Sequence, residues 1–286
     1  MRRRLLAAVL VSLIAWISIP ACHAASTELV KFASARVKLG PLTARRGAEA
    51  HEPPPRQLVI DGYLVKPDGT GPFPTVVLLH GCSGLSESFR RAPASSRWIE
   101  HLTNWGYAVL AVDSFTARGG APSCGREVEF YRVADAFGAL AFLTNRRDVD
   151  ARKVTVFGFS SGGIAALSAV EQRDHEPFEL PDSLRFNAAV AFSPVCVTEG
   201  VMTAPALVLV GELDDWSPVA RCRFMVADSE GKGPPIKLVV YPGAAHDFGD
   251  AALRPLRQMF GHFSAYNRAA AEDATSEVKA FLDRTK

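Results

Sequence analysis

The sequence predicts an α/β fold, a mostly parallel central sheet with helices on both faces. Two observations predict it. Short runs that are apolar throughout recur along the chain, as in strands covered on both sides. Segments with helical character separate those runs, and such crossovers are what parallel pairing needs.

The elements follow in order from residue 57. Leu58 to Val65 mixes apolar and polar positions as an outer strand does. Pro67 to Pro74 is rich in turn residues and reads as a loop or hairpin. Thr75–Leu79 and Ala108–Val112 read as buried strands, with a helix over Arg97–Asn104 between them. Glu127–Asn145 places Val133, Phe137, Leu140, Ala141 and Leu143 near one helical face. Val154–Gly158 is the next strand and Ser161–Gln172 the helix after it. Ala188–Phe192, Ala206–Val210 and Ile236–Val240 are three more strands. Pro218–Val226 is helical, with proline at a favourable first-turn position, and Phe260–Leu282 contains a closing helix.

The 286 residues suffice for one large domain, placed at 57–286, with no segment long enough for a large lid. Residues 25–56 read as a peripheral extension ending in the stiff run His51-Glu52-Pro53-Pro54-Pro55, with a short helix as the most structure expected there. A hydrophobic share of 48% with 22% charged residues fits a globular enzyme. A net charge of +2, part of it from Arg2 to Arg4, gives no electrostatic footprint for nucleic acid.

Residues 1–24 read as a signal peptide. Arg2-Arg3-Arg4 is the positive region, Leu5 to Ile19 the apolar one, and Ala21-Cys22-His23-Ala24 offers small residues for cleavage. An uncleaved anchor and a lipid anchor on Cys22 are the alternatives. The expected location is the periplasm or the medium, with no membrane span once the signal is removed. Four cysteines then remain, Cys82, Cys124, Cys196 and Cys222, an even number that permits two disulfides in an oxidising compartment.

The chemistry is carried by Gly158-Phe159-Ser160-Ser161-Gly162, a G-x-S-x-G run between a buried strand and a helix. In that setting it is a nucleophile elbow. The turn is so tight that side chains two residues either side of the serine clash, and it sets Ser160 at a helix N-terminus, where negative charge is favoured. A serine hydroxyl needs a base, and the order expected along the chain is serine, acid, histidine. Asp214, after the strand ending at Val210, is the acid of choice and Asp215 the runner-up. A helix-capping carboxylate is the structural alternative for Asp214. Only His246 and His262 lie beyond, and His246 follows the last strand directly. The backbone N–H groups of Ser161 and Cys82 are the expected oxyanion donors. His80 reads as a support for that loop. Trp216, Phe159 and Phe248 flank the site and can line a substrate pocket or pack in the core. No H-E-x-x-H, paired C-x-x-C or P-loop is present, and neither metal nor cofactor is expected.

Five motifs in order, HGCSGL, GYAVLAVDSF with TARG, GFSSGG, GELDDWSP and YPGAAHDF, resemble the dienelactone hydrolase family of α/β hydrolases over residues 57 to 284. The resemblance implies an α/β-hydrolase domain, a triad of Ser160, Asp214 and His246, and a small ester or lactone as substrate. The best-known members use cysteine as nucleophile, so Ser160 is a departure that bears on the substrate. Arg118 falls where the family can bind a substrate carboxylate; a loop salt bridge explains it equally well. In this fold the strands feeding Cys82 and Cys124 are neighbours, as are those feeding Cys196 and Cys222, which implies Cys82–Cys124 and Cys196–Cys222 pairs. The expected activity is hydrolysis through an acyl-enzyme. A peptidase of the same fold and a catalytically silent binding protein are the alternatives.

Overall fold

The computed structural model describes residues 25–38, 57–120, 126–175, 177–197, 200–253, 257–259 and 261–286. The expected signal peptide, Cys22 and Cys124 lie outside them. No described helix is long and apolar enough to cross a membrane.

The strands are β1 (Ser26–Ala33), β2 (Val59–Lys66), β3 (Phe73–Leu79), β4 (Ala108–Asp113), β5 (Val149–Phe159), β6 (Ala188–Phe192), β7 (Ala206–Gly211) and β8 (Ile236–Tyr241). They form one eight-stranded sheet in the order β1-β2-β4-β3-β5-β6-β7-β8. β1 and β2 run antiparallel to their neighbours, and β3 through β8 are mutually parallel. A short antiparallel ribbon, β9 (Arg257–Met259) and β10 (His262–Ser264), stands apart from the sheet.

The helices are α1 (Glu87–Arg91), α2 (Arg97–Asn104), α3 (Arg126–Thr144), α4 (Ser161–Ser168), α5 (Gln172–His175), α6 (Val219–Ser229) and α7 (Arg268–Thr285). One face of the sheet packs on α3, α4 and α6 through Phe137, Leu140, Ala165 and Met225. The other packs on α2 and α7 through Ile99, Leu102, Val278 and Phe281. In α7 the buried residues Ala274, Val278, Phe281 and Leu282 form one stripe at helical spacing, and the Asn267 side chain caps its start by accepting from Ala270 N. Burying Phe281 there contributes about 1.5–3 kcal/mol.

The lead-in is a correction. Ser26–Ala33 is an edge strand of the sheet, paired with β2 along its whole length. Its physical reason is plain in the side chains. Val30 and Phe32 point inward at period two, Leu29 and Lys31 outward, and Phe32 stacks on Phe142 of α3 with ring centroids 5.8 Å apart. Leu58–Val65 is accordingly the second strand rather than the outermost. The closing helix starts at Arg268, because His262–Ser264 is taken by the ribbon.

Candidate active site

β5 delivers Ser160 to the carboxyl edge of the sheet, and α4 starts at the next residue. Ser160 has φ 50° and ψ −118°, a conformation that L-residues resist and that costs about 1–3 kcal/mol. Three backbone hydrogen bonds hold it there. Ser160 N donates to Phe192 O at 2.8 Å, and Ser160 O accepts from Gly163 N at 2.8 Å and Ile164 N at 3.1 Å. The glycines are required by contact. A Cβ at Gly158 would lie 1.9 Å from Gly162 O, and one at Gly162 would lie 2.5 Å from both Leu79 O and His80 O. Gly162→Ala therefore drives the turn against the loop after β3. We expect it to cost about 1–3 kcal/mol in urea unfolding, and to slow modification of Ser160 by an organophosphorus probe in the fraction that remains folded.

His246 follows β8 in the loop 242–249, and Asp214 follows β7. His246 Nε2 lies 3.1 Å from Ser160 Oγ, and His246 Nδ1 lies 2.8 Å from Asp214 Oδ2. The structure thus joins Ser160, His246 and Asp214 in one hydrogen-bonded chain, with the histidine and the acid buried and the serine partly open. The other Asp214 oxygen, Oδ1, accepts from Ser217 N at 2.7 Å and Trp216 N at 3.1 Å. Asp214 therefore braces the turn before α6 and orients the imidazole at once. Asp215 is turned away, its carboxylate 3.4 Å from His262 Nδ1.

Charge around His246 favours its protonated form. Burial, the largest single influence, pulls the imidazole pKa down. The Asp214 hydrogen bond and the charges of Asp247, Asp214 and Asp215 together outweigh it, and the pKa lies above the ordinary value. Asp247 sits at φ 55°, with Oδ1 3.7 Å from His246 Nε2. Burial raises its own pKa, and Asp250 and Asp214 add repulsion.

The loop after β3 runs beside the serine: a Cβ on Gly81 would come within 3.8 Å of Ser160 Cβ. Cys82 is the next residue and is disulfide-bonded; its expected partner, Cys124, lies outside the described residues. Cys196 and Cys222 are joined, tying the loop after β6 to α6. His80 packs edge-on against Phe115 with ring centroids 4.7 Å apart, its Nδ1 donating to Gly81 O at 2.7 Å. Burial and the neighbouring Arg132 guanidinium push its pKa down to about 3, so it is neutral.

Arg132 is a residue that sequence reading passed over. It is fully buried, donates to His80 O, and donates to Ser161 Oγ at 2.5 Å. It thereby couples the loop after β3 to the residue that follows the serine. The signal was its register: Arg132 shares one helical face with Ala136, Ala139 and Leu143, all buried, and an arginine within an apolar stripe requires polar partners.

Arg118 makes a two-point ion pair with buried Asp135, at 2.8 and 2.9 Å, and donates to Ser114 O at 2.6 Å. These contacts account for Arg118 without a substrate. Trp216 lies between two imidazoles, 5.1 Å from the His246 ring and 4.8 Å from that of His262. Phe248 is fully buried against Phe192 and Tyr241, as a core residue. Among the described residues no group of three or more His, Cys, Asp or Glu is placed to hold a metal ion.

A serine held in a strained turn at the carboxyl edge of a mostly parallel sheet defines an α/β hydrolase. The sequence profile of the dienelactone hydrolase family matches residues 60–286, and the chain belongs to that family. A Methylorubrum extorquens protein provisionally named a carboxymethylenebutenolidase is 26% identical over 216 residues, 69% of this chain and 70% of that one. A cutinase of Thermobifida alba is 26% identical over 158 residues, 53% of this chain and 48% of its own length. Among solved structures, esterase 2 of Thermogutta terrifontis shares the fold with a TM-score of 0.59 at 21% identity, covering 79% of this chain and 89% of that one.

Proposed function

We propose that the protein is an exported serine hydrolase that cleaves a carboxylic ester or lactone through an acyl-enzyme. The observation that carries the reading is the chain of contacts from Ser160 Oγ through His246 to Asp214, at 3.1 and 2.8 Å. Ser160 Oγ attacks the carbonyl carbon while its proton passes to His246 Nε2. Asp214 keeps Nδ1 protonated and stabilises the imidazolium. The carbonyl oxygen becomes an oxyanion that accepts from the N–H groups of Ser161 and Cys82. Collapse expels the alcohol, which leaves with the Nε2 proton, and the acyl group stays on Oγ. Water then attacks the acyl carbon with His246 again as base, releasing the acid and restoring Ser160.

Export is supported by the basic and apolar run of residues 2–19 and by the Cys196–Cys222 disulfide, a bond typical of oxidising compartments. The family and its named relatives support an ester or lactone as the substrate class.

The test is covalent. The oxidised protein is treated with a small fluorophosphonate and the adduct is mapped by mass spectrometry. The expected result is rapid modification of Ser160 that disappears in His246→Ala. A folded protein that forms no adduct, or one on another residue, defeats the mechanism.

A further inference from the structure

A cavity of about 280 Å³ opens between the start of α2 and the loop 247–251. Trp98, Phe159 and Phe192 form its apolar wall, and Arg97, Asp247 and Asp250 carry its charges. The aromatic rings brace one another, with Trp98 edge-on to Phe192 at 6.1 Å and Phe159 5.7 Å from Phe192. Residues next to the reacting pair line the cavity. Phe159 precedes Ser160, Phe192 O holds the Ser160 N–H, and Asp247 Oδ1 lies 3.7 Å from His246 Nε2.

That last contact orients the substrate. Nε2 hands its proton to the leaving oxygen, so Asp247 flanks the leaving group. The cavity is reached from the reacting pair through their chain neighbours Phe159 and Asp247, which line it, rather than through Ser160 or His246 themselves. We propose that this cavity receives the alcohol part of the substrate, and that it takes a small aromatic or apolar alcohol, neutral or cationic, and rejects one bearing a carboxylate. The proposal rests on the ester-hydrolase reading above.

Charge decides the second half. Two carboxylates and one guanidinium line the cavity, and the segment that carries the carboxylates is held in place. Asp250 N donates to Asp247 O at 2.8 Å, Asp250 Oδ1 accepts from Ala252 N at 2.9 Å, and the left-handed backbone at Asp247 sets its aim. A carboxylate entering between them meets like charge at short range in a space partly shielded from water, where repulsion is strong. A flat ring stacks on the aromatic wall instead, and an ammonium gains both the carboxylates and the ring faces. The cavity lies just below the roughly 300–1,000 Å³ usual for ligand pockets, which limits the group to about one ring.

The test uses three acetates that differ only in the alcohol: benzyl, 4-(aminomethyl)benzyl and 4-carboxybenzyl. The neutral and ammonium esters are expected to exceed the carboxylate ester in kcat/KM by about 10- to 100-fold. In the Asp247→Asn/Asp250→Asn double variant that ratio is expected to fall below about 3-fold. Each ratio is taken within one protein, so partial loss of folded enzyme cancels. Trp98→Ala is expected to reduce the preference for benzyl over methyl acetate. A preference for the carboxylate ester means that Arg97 governs the cavity and overturns the proposal. So does a ratio that the double variant leaves unchanged, or failure on all three esters by a protein that forms the Ser160 adduct. Failure on all three with no adduct overturns the hydrolase reading itself.

Discussion

Ser160→Ala is expected to lower kcat on a short-chain ester by about 10⁶, and His246→Ala by a comparable factor, with the double variant little worse than either. Non-additivity follows from the chemistry. The imidazole has no proton to take without the hydroxyl, and the hydroxyl is a poor nucleophile without the imidazole 3.1 Å away. Ser160→Gly separates function from stability. It removes the same hydroxyl and also relieves the φ 50° conformation, which L-residues resist. It should be as inactive as the alanine variant yet more resistant to thermal unfolding by about 1–3 kcal/mol. Steady-state assays beside calorimetry read both. A Ser160→Gly protein less stable than wild type would show that the turn is held in place without strain.

The parallel strands and the covering helices were legible because each strand carries a largely apolar run of about five residues that ends at the edge where the site lies. The Gly158–Gly162 turn was legible for a harder reason: both glycines face backbone oxygens at distances no Cβ tolerates. Asp214 and His246 are singled out by position alone, after β7 and β8, and their side chains lie in hydrogen-bond contact with each other and, through His246, with Ser160. β1 was missed although Val30 and Phe32 alternate with Leu29 and Lys31. Eight residues of weak alternation do not outweigh a Pro-rich sequel when the pairing partner lies some thirty residues on. Arg132 and Asp135 do not stand out in a helix read by its apolar face, whereas the charges embedded in that face reveal what the helix supports. The cavity between α2 and the 247–251 loop had no sequence signature, since the two meet only in three dimensions.

Asp214→Asn is expected to leave the fold in place and lower kcat by about 10⁴. Asparagine Oδ1 can still accept from Ser217 N and Trp216 N, which preserves the turn before α6. The amide then presents a donor, rather than an acceptor, to His246 Nδ1, which favours the tautomer with its proton on Nε2, and that nitrogen cannot take one from Ser160. The pH profile separates this effect from simple damage. His246 must be neutral to act as base, so kcat/KM rises with pH through the His246 pKa and levels off above it. In the wild type that midpoint should lie above the ordinary histidine value of about 6.5, because the surrounding carboxylates outweigh burial. Asp214→Asn removes both the hydrogen bond that Nδ1 donates and the Asp214 charge, leaving burial opposed only by the charges of Asp247 and Asp215, and the midpoint should move down. Asp247→Asn should move it the same way by less, and with a smaller loss of kcat, since Asp247 lies 3.7 Å from Nε2 and makes no bond to Nδ1. If Asp214→Asn moved the midpoint upward, or if Asp247→Asn cost as much as Asp214→Asn, the carboxylate that orients the imidazole would have to be reassigned.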